Sequence, residues 1–483
     1  MTDTDNQVTA SGAEPAPLRT LAQHRPLVVT PDTRLRETLF YFSQQDADAA
    51  VIADPDSGLP LGLLTLRDML QVVSFEDGSL DDPVAVHMTG APPSLAADAP
   101  SHRARVEMAK KGISHLVLTE PDGRLCGLIG QADLLGLRAG GSQALIESIN
   151  AARDIDAMMM AADRVRRRGA QLFHSGMAVE ALCQWMSGLN DLIGMRIIEL
   201  IEDEFDLPPV PWCWMVFGSE GRLEQTFATD QDNGLLFVPP EPERTSEIRE
   251  AFLPFAQAVN EALHHCGFER CRGDIMAGNA EWCLSAAEWQ QRFANWLRVP
   301  EPEAVLRSTI FFDFRPLYGT SEPVDRLRAW LIKEAPGQGR FFHALAEQSL
   351  GVSPPLGWAG QFTFDRNRDF PHTIDLKLQG ARYFMDAGRL WALKDGIWAT
   401  STVERLRATG AQRQRAPEDI AAEIEAFHLI QRFRINQQLQ TEDQDAANRV
   451  DPSDLNELHR LMLKEAFKQA RKLQTRLRQE FGL

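Results

Sequence analysis

Between Leu27 and Leu135 the chain writes one unit twice, and an internal repeat constrains a fold more tightly than any composition, because such a unit needs its neighbour to bury its apolar face. The first copy runs Leu27-Val-Val, a helix over 33–44, a strand Ala49-Ala-Val-Ile-Ala, an Asp-Ser-Gly turn and Leu61-Gly-Leu-Leu-Thr-Leu-Arg-Asp. The second has a helix over 103–111, a strand His115-Leu-Val-Leu, a Pro-Asp-Gly turn and Cys126-Gly-Leu-Ile-Gly-Gln-Ala-Asp. Each copy reads as strand, helix, strand, tight turn, strand, helix.

The repeat, over 18–140, resembles a tandem pair of CBS domains, regulatory modules that bind adenosine nucleotides between their halves. The most telling element is Gly-Leu-Leu-Thr-x-x-Asp, with Thr65 and Asp68. A hydroxyl at a helix start caps the first turn, whose free N–H groups favour phosphate. A carboxylate three residues on can accept from ribose hydroxyls. The second copy keeps Asp133 but has Gly130 where the hydroxyl would stand. The resemblance implies an adenine nucleotide as regulator, held by Thr65, Asp68 and Asp133, and a homodimer. The same three residues also suit plain helix caps.

At 483 residues the chain exceeds one ordinary core, so several domains are expected. Residues 1–17 read as a disordered leader and 141–208 as a helical connector, with Leu145, Ile146, Ile149, Leu192, Met195 and Ile198 at helical spacing, up to Pro208. A formal charge of −18 argues against nucleic acid as a partner, since backbone phosphates are bound by clustered Lys and Arg. No apolar run reaches the roughly 20 residues of a membrane span, and no signal peptide is evident, so a cytoplasmic protein is expected. Six scattered cysteines do not form a disulfide pattern. His264, His265, Cys266, Cys271 and Cys283 cluster in sequence but lack paired zinc-ligand spacing, and ordinary buried cysteines account for them.

The chemistry concentrates in one stretch. Cys213-Trp-Met-Val-Phe is a short apolar run that reads as a buried strand, and it leads into Gly218-Ser-Glu-Gly-Arg, where glycines let backbone approach a ligand. After Leu223-Glu-Gln-Thr the chain gives Thr229-Asp-Gln-Asp-Asn-Gly and a second apolar strand, Leu235-Leu-Phe-Val. Residues two apart on a strand share a face, so Asp230 and Asp232 present two carboxylates beside the glycine loop. Adjacent anions repel unless a cation lies between them, and an oxygen pair suits Mg²⁺ that also binds substrate phosphates.

This stretch resembles the DNA polymerase beta-type nucleotidyltransferase superfamily, closest to nucleotidyltransferases that carry CBS domains and look like the uridylyltransferase of signal-transduction protein PII. The likeness continues through Gly273-Asp-Ile-Met-Ala-Gly-Asn and Phe311-Phe-Asp-Phe-Arg-Pro-Leu-Tyr-Gly, then into a substrate-binding-like region with His372-Thr-Ile-Asp-Leu-Lys. It implies that Gly218 and Ser219 hold a nucleoside triphosphate, with Arg222 neutralising phosphate or else pairing with Glu220 or Glu224. Asp230 and Asp232 would hold Mg²⁺ or Mn²⁺. Asp274 is the best candidate for a third catalytic carboxylate, though relatives generally have Gly there; Asp313 is second, with Arg315 or a neighbouring helix as its expected partner. Asp375 and Lys377 read as an inter-helix pair that can also face substrate.

The expected fold is therefore α+β and multidomain: a tandem CBS α/β pair, a mixed-sheet polymerase beta-type domain over 209–335, and a C-terminal helical bundle over 336–483. The expected activity is transfer of a nucleoside monophosphate from a triphosphate to a protein or small-molecule hydroxyl. A PII-type protein is one candidate acceptor. The alternative is a catalytically inactive nucleotide sensor, and the position of Asp274 discriminates the two.

Overall fold

The computed structural model of the protein describes residues 18–22, 26–45, 47, 49–66, 68, 69, 72, 79–99, 103, 104, 107, 108, 111, 113–130, 133, 142–364, 367–441 and 443–483. The leader expected over 1–17 and part of the helix expected over 103–111 lie outside the described residues. The chain divides into two compact units, one ending at Ser142 and the other running from Gln143 to Leu483.

In the first unit, α1 (Leu18–Leu21), β1 (Leu27–Val29), α2 (Leu35–Gln45), β2 (Ala49–Ala53), β3 (Pro60–Thr65) and β4 (Thr89–Gly90) make a sheet of order β1-β2-β3-β4. A second sheet holds β5 (Ser94–Ala96), β6 (His115–Thr119) and β7 (Leu125–Gly130) in that order. The sequence repeat is preserved in register. β1 runs parallel to β2 as β5 does to β6, and the hairpins β2-β3 and β6-β7 each slip at the matching place, Ile52/Ala53 and Leu118/Thr119. Both hairpins turn through a left-handed glycine, Gly58 at φ 71° and Gly123 at φ 84°, a conformation that a Cβ would strain. β2 is buried throughout, so its two faces serve two cores. Ala50 and Ile52 pack with Leu27, Leu35 and Phe42, whereas Ala49 and Val51 meet Val117 of the other copy.

The second unit opens with α3 (Gln143–Ala151), α4 (Ile155–His174) and α5 (Val179–Glu202). These helices belong to the second unit itself. Helix α5 is apolar on most of its surface and buried without a break from Trp185 to Met195, as a helix enclosed on several sides must be. The sheet follows: β8 (Trp212–Val216), a single turn α6 (Gly218–Gly221), β9 (Asn233–Phe237), α7 (Thr245–His265), β10 (Cys283–Ser285), α8 (Ala286–Arg298), α9 (Pro302–Phe311) and β11 (Arg315–Gly319). Its order is β10-β9-β8-β11, with β9 and β10 parallel and the other neighbours antiparallel. Alternation along β8 divides its side chains between two layers. Trp212 and Trp214 meet Phe255 of α7 edge to face, while Cys213, Met215 and Phe217 enter an aromatic core with Trp289 and Phe311.

Helices α10 (Glu322–Glu334) and α11 (Gly339–Leu350), a two-residue strand β12 (Ile374–Asp375), α12 (Arg382–Lys394), α13 (Thr402–Gln412), α14 (Pro417–Gln438), β13 (Arg449–Val450) and α15 (Glu457–Phe481) complete the chain. A π-turn over Lys377–Ala381 leads into α12. The expected architecture, an α/β repeat followed by a mixed-sheet domain and a helical C-terminal region, is the one observed. No helix among the described residues is long and apolar enough to cross a membrane.

Candidate nucleotide and cation site

The site forms where β8 ends and β9 begins. The Phe217 N–H donates to the carbonyl of Asp232 at 2.8 Å, which draws the glycine loop against the segment 230–232. Gly218 has φ 54°, and a Cβ there would stand 2.7 Å from Asp232 Oδ2. A Cβ on Gly221 would stand 1.8 Å from the Asp313 carbonyl oxygen. Both glycines are therefore required, one by the carboxylate and one by backbone. In the tight turn that follows, Leu223 adopts φ 59°, a costly conformation for a branched residue.

The alternation expected of 230–233 is realised through buried amides. Gln231 donates from Nε2 to the carbonyls of Asn260 and Phe268, both at 3.0 Å, and Asn260 Nδ2 donates to Gln231 Oε1 and Asn233 Oδ1, both at 2.9 Å. With Gln231 and Asn233 fixed in the interior, Asp230 and Asp232 occupy the other face, half-buried. Their carboxylates and the Cys271 Sγ lie within 4.8 Å of one another. Burial and then the Asp230 charge push the Asp232 carboxyl up to about 7, against the Cys271 thiol and the Lys377 ammonium, which act the other way. Burial, with Asp232 beside it, pushes the Cys271 thiol up to about 12.

Asp274 is not part of this group. It is exposed with φ 53°, and its Oδ2 accepts from Asn279 Nδ2 at 2.8 Å. The sequence Cys271-Arg-Gly-Asp274 turns back on itself, so that Cys271 faces the aspartates and Asp274 does not. Arg222 is also committed elsewhere: it donates from Nε to Glu224 at 2.8 Å and from Nη1 to Asp313 at 2.8 Å, all three being buried. A guanidinium so fixed is not available to a phosphate, and of the two expected readings of Arg222 the ion pair, with Glu224, is the one formed. Asp313 pairs with Arg222, Arg389 and Arg405 and not with Arg315, which instead binds Asp191 at 2.6 Å.

Two members of the neighbourhood carry no role at this site in the sequence reading. Glu220 lines a small cavity with Asn190, Trp214, Gln231 and Asn233, and burial followed by the Asp191 charge pushes its carboxyl up to about 8, Arg315 opposing. Cys271 belongs in the sequence reading to the cluster that lacks paired zinc-ligand spacing. Its place next to a strand edge that pairs at Asp230 and Glu269 was not visible without the topology. Lys377, exposed at the start of the π-turn, forms no ion pair among the described residues, while the Asp375 carboxylate caps the N–H groups of Lys377 and Leu378. In place of the expected Asp375–Lys377 pair, Asp375 forms this cap and an ion pair with Arg449 at 3.8 Å. Among the described residues, His264, His265, Cys266 and Cys283 join no group of metal-ligand geometry.

In the repeat, Thr65 and Asp68 engage each other: Thr65 donates from N and from Oγ1 to Asp68 Oδ2, at 2.8 and 2.7 Å, and Asp68 N donates to Thr65 Oγ1 at 3.2 Å. In the second copy the Gly130 N–H donates to Asp133 Oδ2 at 2.9 Å. A Cβ at 130 would stand 3.1 Å from the ring of buried His115, which fills the space a Thr side chain would use.

Three known families match parts of the chain. Residues 163–303 match the family described as "Putative nucleotidyltransferase DUF294", residues 339–481 the "Putative nucleotidyltransferase substrate binding domain", and residues 18–74 and 84–140 the CBS domain. Among solved structures, a CBS domain protein from Pyrobaculum aerophilum complexed with AMP is 23% identical, covering 25% of this chain and 98% of its own, at a TM-score of 0.24. A CBS-domain containing protein from Agrobacterium tumefaciens is 26% identical, covering 25% of this chain and 92% of its own, at a TM-score of 0.23. No curated protein matches the chain.

Proposed function

We propose that this chain, which joins a CBS pair to a domain of the DUF294 nucleotidyltransferase family and that family's substrate-binding domain, transfers a nucleoside monophosphate from a triphosphate to a hydroxyl, under the control of an adenine nucleotide. The observation that carries this reading is the Asp230–Asp232 pair beside a Gly218 loop that leaves no room for a Cβ. Two half-buried carboxylates, that of Asp232 lying against the bare Gly218 backbone, fit a divalent cation, Mg²⁺ or Mn²⁺, shared with phosphate oxygens. A bound cation stabilises charge on the entering and leaving oxygens of such a transfer.

The chain's own groups divide the remaining work. Gly218 and Ser219 receive the triphosphate, whose close approach a side chain at 218 would block. Lys377 supplies a positive charge near Asp232, a task for which Arg222 is not free. The acceptor hydroxyl attacks the α-phosphorus, its proton passing to water as the bond to pyrophosphate breaks. The acceptor is a protein of PII type or a small molecule, and the group moved is uridylyl or adenylyl. Thr65, Asp68 and Asp133 hold the regulatory adenine nucleotide, and the chain acts as a homodimer. Six free cysteines suit a reducing, cytoplasmic setting.

Asp274 supports a second reading, in which the pocket senses a nucleotide without turning it over, since the expected third carboxylate points away. Incubation of the protein with each α-labelled triphosphate, Mg²⁺ or Mn²⁺ and cell extract separates the two. Transfer predicts a labelled acceptor; binding of triphosphate with no label transferred from any of the four would favour the sensor.

A further inference from the structure

Two donors of the Asp230 site are oxygens, but the third group within reach is sulfur. Opposite ligands of one cation at about 2.1 to 2.4 Å stand at most about 4.2 to 4.8 Å apart, and the Asp230, Asp232 and Cys271 donor atoms meet that limit without any rearrangement of the backbone. We propose that Cys271 is the third ligand of the cation site, so that an oxygen, oxygen, sulfur donor set selects a divalent transition ion over Mg²⁺. The inference rests on the reading of Asp230 and Asp232 as cation ligands, and it replaces the oxygen-only set expected from sequence.

Three features place the thiol there. Cys271 follows the short pairing of Asp230 with Glu269, so the two chain segments travel side by side into the site. The turn that reverses Asp274 outward turns Cys271 inward, exchanging a carboxylate for a thiol at the third position. Gly218 keeps its own side of Asp232 clear, because any Cβ would contact the carboxylate that must face the ion. Sulfur is a poor ligand for Mg²⁺ and a good one for the later first-row ions and for Cd²⁺, while the paired carboxylates remain acceptable to Mn²⁺. As the metal–sulfur bond forms, the thiol proton passes to water.

CdCl₂ and MnCl₂ titrations of the full chain and of Cys271→Ser test the assignment. Cd²⁺ is expected to produce a sulfur-to-metal absorption in the natural protein that Cys271→Ser lacks, and the serine variant is expected to bind Cd²⁺ more weakly by roughly tenfold or more. A readout on the unmodified chain guards against a variant that folds poorly: Cd²⁺ should slow iodoacetamide alkylation of Cys271 but not of Cys126, which is exposed and serves as the internal reference. Equal Cd²⁺ affinity and absorption in the two proteins, with alkylation of Cys271 indifferent to Cd²⁺, would overturn the role of Cys271 while leaving the aspartate pair standing. No binding of Cd²⁺ or Mn²⁺ by either protein would instead defeat the cation site as a whole, and Cys271 with it.

Discussion

Arg222 Nη1 donates to Asp313 Oδ2 at 2.8 Å, and both side chains are buried. The same carboxylate receives Arg389 from α12 and Arg405 from α13, while Glu224 accepts from Arg222 and from the Thr402 N–H. The cluster thereby fastens the loop that follows Gly218 to two helices of the C-terminal region. Burial opposes the Asp313 charge, but Arg389, Arg405 and Arg222 outweigh it and hold the carboxyl well below the usual range.

Removing that charge leaves three buried guanidinium groups without their shared partner. Asp313→Asn is expected to destabilise the protein by about 3–5 kcal/mol in urea unfolding at neutral pH. Because the folded-state value is depressed, the stabilisation is complete above the unfolded value of about 4 and declines as pH falls below it. The gap between natural protein and variant should therefore narrow only under acid conditions. A gap of less than about 1 kcal/mol at pH 7 would show that the arginines find other partners.

Glu220 behaves in the opposite sense. A carboxyl raised to about 8 in the folded state costs stability as pH climbs from its unfolded value of about 4.3 towards 8. Glu220→Gln should raise the melting temperature more at pH 8 than at pH 5. An equal change at both values would mean that the group is ionised freely in the native state.

How much of this was legible differs by element. The repeat, the strands around Gly218 and the aspartate pair were readable because each depends on local pattern: period-two alternation, turn glycines and a two-residue spacing. Long-range partners were not. Asp313 and Arg222 are 91 residues apart, and nothing in Phe312-Asp-Phe says that helices α12 and α13 will supply two more arginines. The exchange of Asp274 for Cys271 depends on one left-handed residue, a conformation that Asp tolerates but that its sequence context does not announce. Helices 143–202 read correctly as helical, yet periodicity alone did not show that they belong to the second unit.

Gly218 offers a test of the loop. Gly218→Ala adds a methyl 2.7 Å from Asp232 Oδ2 at a positive φ, and is expected to lower stability by about 1–2 kcal/mol and to abolish metal-dependent nucleotide binding. Gly337→Ala, where a Cβ meets nothing within 4 Å, is the control. Full binding by Gly218→Ala would show that ligand does not approach this backbone.

In the repeat, an adenine nucleotide that binds only the native state should raise its melting temperature. Asp68→Asn is expected to reduce that shift more than Asp133→Asn, since Thr65 adds a hydroxyl to the first copy and His115 occupies the corresponding space in the second. Equal losses would make the copies equivalent. If AMP, ADP and ATP all leave the melting of the full chain unchanged, Asp68 and Asp133 are helix caps and nothing more.

The proposed transfer depends on whether Asp230 and Asp232 hold a cation together with a triphosphate. Isothermal titration of ATP and of UTP, each with Mg²⁺ and with Mn²⁺, into the natural chain and into Asp230→Asn/Asp232→Asn measures this directly. The expected result is metal-dependent binding of at least one triphosphate by the natural chain, weakened by roughly tenfold or more in the double variant while its thermal melting stays cooperative. Equal affinity in the two proteins would contradict the account, because the carboxylates would then play no part in holding the ligand.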